Sequence, residues 1–86
     1  MAPSEKEFYE HLRKRIRQLR IDSLLSQQEV AEALGIIRST YAYYEVGRTH
    51  PKLYTLCRLA RFYSLSLDEF LDFPKEPVDS CPSGEV

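Results

Sequence analysis

Eighty-six residues, 43 % of them hydrophobic, suffice for one folded unit and are too few for two. No apolar run reaches the ~18 residues of a membrane-spanning helix, and two cysteines and two histidines, badly spaced, exclude a disulfide framework and a metal-ligand cluster. The net charge of −1 hides a division: residues 13–61 carry ten basic side chains against four acids, whereas residues 64–86 carry six acids and one lysine.

The amino-terminal residues are polar and include acids, unlike a secretory or transit peptide, so a cytoplasmic, reduced chain is expected. No nucleophile–base pair, Gly-rich phosphate loop or metal cluster is visible, so neither an enzyme nor a cofactor site is expected. Residues 1–73 are expected to form the folded domain, with a stability on the order of 5 kcal/mol. Residues 74–86 hold three prolines and few large apolar groups, and a mobile acidic tail is expected there.

In chain order, Ser4 followed by Glu7 is a capping box, which predicts a first helix from Glu5 to about Arg20 or Ile21. Phe8, Leu12, Ile16 and Leu19 form its apolar stripe. Phe8 and Tyr9 are expected either to cap the core or to meet a second chain. The basic run at 13–17 is expected to be a solvated helix surface. Leu25 should be buried before a second capping box, Ser26 with Glu29, opens the next helix. Val30, Ala31 and Leu34 share one face of it.

Gly35 stands where the chain must stop one helix and turn sharply, a position suited to positive φ. Ile36, Tyr41 and Tyr44 continue the apolar face into a third helix over 38–46, ended by Gly47. Small Ala31 permits a close, steep crossing of the two helices. Together these features predict a helix-turn-helix, whose second helix can enter a DNA major groove. Ile37 stands at the cap of that helix and cannot accept a hydrogen bond, at a cost of roughly 1 kcal/mol.

Pro51 is expected at or near the first position of a fourth helix. Leu53, Leu56, Leu59, Ala60 and Tyr63 should form its buried face, with Cys57 among them. Ser66 and Glu69 predict a short fifth helix carrying Leu67, Phe70 and Leu71, closed by Phe73-Pro74. The expected fold is all-α, with five helices and no strand.

Arg20, Leu25-Ser26-Gln27, Ala31, Leu34-Gly35, Glu45, Gly47, Pro51, Leu56, Leu59-Ala60 and the run Ser66-Leu67-Asp68-Glu69-Phe70-Leu71 resemble the Cro/repressor-type helix-turn-helix proteins, also called the xenobiotic-response-element family. The resemblance covers about residues 16–71. It implies a dimeric, operator-binding transcriptional regulator of bacterial or phage type, acting as a repressor on an inverted repeat. By the same resemblance Gln27 clamps a DNA phosphate, and Arg38, Ser39 and Thr40 form the exposed first turn of the recognition helix, with Ala42 and Tyr43 one turn on. Arg20 and Glu45 match a partly buried ion pair. The chain departs from the family at Ile37 (usually a hydroxyl residue), Tyr41 (usually a β-branched aliphatic) and Leu24 (often glycine or a small polar residue).

Side-chain chemistry refines these roles. The Arg38 fork can bond guanine O6 and N7 together, worth about 1–3 kcal/mol of discrimination. Ser39 can bond a base edge or a phosphate, and Thr40 a thymine methyl or a phosphate. Tyr43 is expected either on a sugar or phosphate or partly buried against the second helix. Gln28, Arg48, Thr49 and Lys52 are expected to grip the backbone without reading sequence. Phe70, Leu71 and Phe73 are expected either at a homodimer interface or as the last pieces of the core. The rival reading is an antitoxin-like or adaptor module that uses the same fold to bind a protein partner.

Overall fold

The structure, a computed structural model, describes residues 4–72. Five helices follow in order: α1 Glu5–Asp22, α2 Gln27–Leu34, α3 Arg38–Val46, α4 Leu53–Phe62 and α5 Leu67–Leu71. The described residues contain no strand, and none of their helices is long and apolar enough to cross a membrane. Phe73 and the expected tail at 74–86 lie outside the described residues.

Local chemistry sets the boundaries. Ser4, Ser26 and Ser66 each accept from the backbone N–H three residues on, and Glu7, Glu29 and Glu69 reach back to the serine amides, so three helices start on complete capping boxes. Gly35 (φ 74°) ends α2 and Gly47 (φ 82°) ends α3. α1 runs slightly further than its apolar stripe predicts, to Asp22, whose carboxylate accepts from Gln18 Nε2 at 2.7 Å.

Each helix contributes to one core: Leu12 and Ile16 from α1, Val30, Ala31 and Leu34 from α2, Tyr41 and Tyr44 from α3, Leu59 and Ala60 from α4, Phe70 from α5. α2 packs on α3 and α4, α1 on α3 and α5, and α4 on α5. Tyr41 is fully buried, filling the volume where the family usually has a smaller branched side chain. The hydroxyls of Tyr41 and Tyr63 are buried without a hydrogen-bond partner. Burial pushes the Tyr63 phenol up to about 12 and raises Tyr41 as well, so both stay neutral.

Three expectations need correction, and one open alternative is decided. Pro51 is buried but precedes α4, because the first helical bond is Leu56 N–H to Lys52 O at 2.9 Å, which makes Lys52 the cap. Leu53 is 66 % exposed, since it stands at the first residue of the helix with no neighbour over it. Cys57 is exposed, one residue round the helix from half-buried Leu56. Phe70 is 0 % exposed, so it completes the core and cannot meet a second subunit, while Leu71 is half-buried against that core.

Part of the positive charge serves helix ends. Arg58 donates to the carbonyls of Leu34 and Ala33, both at 3.1 Å, closing the end of α2. Arg15 donates to Phe70 O (2.8 Å) and Glu69 O (3.0 Å), and His11 Nε2 donates to Leu71 O (2.9 Å) and Asp72 O (3.0 Å). A cation or N–H at a carboxyl-terminal turn satisfies carbonyls and complements the helix dipole. The run at 13–17 is therefore more than a solvated surface: Arg15 holds α5.

Leu24 adopts φ 61° with its side chain 91 % exposed. A left-handed conformation costs a β-carbon-bearing residue about 1–2 kcal/mol, offset in part by the entropy that glycine loses on folding. Leu24→Gly is expected to raise stability by roughly 0.5–1 kcal/mol. Urea titration checks this as a higher midpoint at unchanged slope.

Candidate nucleic-acid interface

The helix amino termini are of two kinds. α1, α2 and α5 are closed by a serine and carry acids in their first turns, whereas α3 and α4 follow Ile37 and Lys52, with no side-chain cap bond and no acid in the first turn. The first N–H groups of a helix lack intrahelical partners, and the dipole there favours an anion. Two open, positive ends are thus presented from consecutive helices, a disposition suited to phosphates.

The turn between α2 and α3 holds the second helix at its angle. Ile36 N–H bonds to Ala31 O at 3.0 Å across Gly35. A β-carbon on Gly35 would meet nothing within 4 Å, so conformation rather than space requires glycine there. Beyond the turn, Arg38 and Ser39 are exposed, Thr40 and Ala42 half-buried, and Tyr43 is 40 % exposed. The Arg48 guanidinium lies over the Tyr43 ring, 5.1 Å from its centroid.

Arg38 is tethered. Its Nη1 donates to Gln27 Oε1 at 3.0 Å, and Gln27 Nε2 donates to Glu45 Oε1 at 3.1 Å. Glu45, 3 % exposed, receives Arg20 Nε at 2.6 Å and Arg20 Nη2 at 3.0 Å, while Arg20 Nη1 reaches Leu25 O at 2.9 Å. One chain of bonds thus runs from the exposed tip of α3 through the start of α2 to α1. Gln27 is a bridge in the unbound protein, with one amide hydrogen still to give.

Burial alone would raise the Glu45 carboxyl, but the Arg20 guanidinium foremost, then Tyr41 and Gln27, outweigh it and hold the group below its ordinary value. The Glu45 bond in turn holds Arg20 more firmly protonated, against the opposing effect of burial.

The remaining expected residues are spread around this tip. Gln28 is exposed and donates to Glu32 Oε2 at 2.9 Å, with its second amide hydrogen still to give. Arg48, Thr49 and Lys52 are exposed between α3 and α4. Sequence reasoning missed the link from α1 to this loop: Tyr9 stacks on His50 with centroids 3.8 Å apart, and the Arg13 side chain lies against Gly47. Nothing local signals such pairs. Among the described residues no group of three or more His, Cys, Asp or Glu is placed to hold a metal ion.

Glu45→Gln leaves Arg20 without its carboxylate and is expected to cost about 3 kcal/mol at neutral pH. A carboxyl lowered in the folded state contributes stability that is complete above its unfolded value near 4.5 and lost as pH falls through the folded one. Urea unfolding should show wild type and E45Q separated at neutral pH and converging below pH 4.5. A gap that stays constant to acid pH would remove Glu45 from this role.

A helix-turn-helix family model matches residues 16–70, from the middle of α1 to α5. The chain is similar to the cryptic phage CTXphi transcriptional repressor RstR of Vibrio cholerae, 38 % identical over 65 residues that cover 76 % of this chain and 59 % of that protein. It is 40 % identical over 63 residues to the uncharacterized HTH-type transcriptional regulator YobD of Bacillus subtilis, covering 73 % of this chain and 56 % of the other. It thus spans somewhat over half the length of these relatives. The crystal structure of a transcriptional regulator from Listeria innocua superposes with a TM-score of 0.70 at 32 % identity, covering 77 % of this chain and 62 % of that one. With more than half of its length matched by the family model, the chain belongs to the helix-turn-helix family of the Cro/repressor type.

Proposed function

We propose that this chain is a sequence-specific DNA-binding transcriptional regulator, acting as a repressor from a two-fold dimer on an inverted repeat. The observation that carries it is the tip of α3, where Arg38 and Ser39 stand exposed at an uncapped helix end beside the start of α2. In this reading α3 lies in the major groove. Arg38, already held by Gln27, extends its fork to guanine, and Ser39 and Thr40 bond the neighbouring edge or backbone. Gln27, Gln28, Arg48, Thr49 and Lys52 bind phosphates and fix the register. Tyr43 stacks under Arg48 and packs on a sugar. The relative from Vibrio cholerae, named a repressor, supports the direction of control.

One subunit reads too few base pairs to find a site in a genome, and a two-fold dimer doubles the contacts. Because Phe70 is sealed in the core, the two-fold contact is made by other surfaces.

Selection from random duplex DNA is expected to return an inverted repeat with half-site centres about one helical turn apart. On that duplex, Arg38→Ala should cost roughly 5- to 150-fold in discrimination at one base pair, corresponding to 1–3 kcal/mol, with the fold retained. Arg48 and Lys52, two cationic phosphate contacts per subunit, predict a log–log salt slope of roughly −4 for the dimer. If no sequence is enriched at any salt concentration, the protein-binding reading replaces this one.

A further inference from the structure

We propose that Ile37 is a specificity-determining residue that reads the C5-methyl group of a thymine next to the base pair met by Arg38. The inference rests on the DNA-binding reading above and adds a contact to it. Its starting point is a residue in the wrong place for the fold. Three helices of this chain begin on serine, and the helix cap position favours side chains that accept a hydrogen bond. Ile37 makes no such bond, so α3 begins less stably than it would on serine or threonine.

Packing does not account for the choice. Ile37 is 68 % exposed, whereas its neighbour Ile36 is half-buried and packs against the core, so the apolar requirement of the turn is already met. The Ile37 backbone is in its ordinary capping conformation, with its carbonyl accepting from Tyr41 N–H at 3.2 Å. The branched side chain therefore stands in solvent, one residue ahead of exposed Arg38. α4 also starts without a side-chain cap, but on Lys52, whose charge suits a phosphate. Ile37 has no charge to offer.

The major-groove edges of the four base pairs present donors, acceptors and one apolar group, the thymine methyl. An exposed aliphatic at the tip of a helix entering that groove matches this group and no other on the base edges. Burying one methyl against it, area for area, is worth about three- to tenfold in affinity.

The test uses the full chain and the duplex recovered by its own selection, with each thymine replaced singly by deoxyuridine. Wild type is expected to lose about three- to tenfold in affinity at one position per half-site and little elsewhere. Ile37→Ser should lose that methyl sensitivity while keeping the rest of the consensus. Its melting temperature should be no lower than wild type, and higher by roughly 4–8 °C where the serine caps fully. Wild type indifferent to the methyl at every position overturns the proposal, as does I37S retaining the penalty. So does a lower melting point for I37S, which would make Ile37 a structural residue. A wild-type selection that enriches nothing sinks the DNA-binding reading itself, a result distinct from these.

Discussion

The arrangement depends on a buried ion pair. Glu45, at 3 % exposure, is the sole charged side chain in the core among the described residues, and it can be there because Arg20 meets both of its oxygens. Removing either partner leaves an uncompensated charge in a poorly solvated place. The pair fixes the first helix against the third, and through Gln27 it also takes hold of the second. Arg38 is the last member of that chain of bonds, so its placement is set by contacts whose far end lies in another helix. A side chain held before its partner arrives loses less conformational freedom on binding than one that must be ordered then.

What could be read from the sequence was what acts over short distances. A serine and a glutamate three residues apart meet whenever the intervening turn is helical, and a glycine after an apolar stripe ends a helix wherever it occurs. Helix number, the limits of α3 and the two glycine turns follow from such signals. Contacts between residues distant in the chain left no local signal, and the Arg20–Glu45 pair was expected through the family resemblance alone. Arg58 finds Leu34 across 24 residues and Arg15 finds Phe70 across 55, and in sequence both are simply basic residues on helical faces. Phe70 shows the same gap from the apolar side, because its short helix does not reveal which neighbours will cover it. In the candidate site, the family resemblance implied the exposed placement of Arg38, but its bond to Gln27 joins residues on two helices.

The division between closed and open helix starts ties stability to the site. A capping box satisfies two amides and puts an acid against the positive end of a helix. Three helices use that device, and α3 and α4 forgo it. An acid in the first turn of either would oppose a phosphate, so the local optimum for folding and the requirement of the surface differ there. Stability has been left unclaimed at those two ends and gathered elsewhere, at Phe70, at Tyr41 and at the carboxyl ends of α2 and α5.

His11 and Arg15 grip the final turn of α5, so the two extremities of the described chain are fastened to one another. A ribosome delivers Glu5 long before it delivers Leu71. Until then the amphipathic side of the earliest segment lacks one of the partners that cover it. The short α5 acts as the latch, and a nascent chain stopped just short of it would lack the bonds that fasten its beginning.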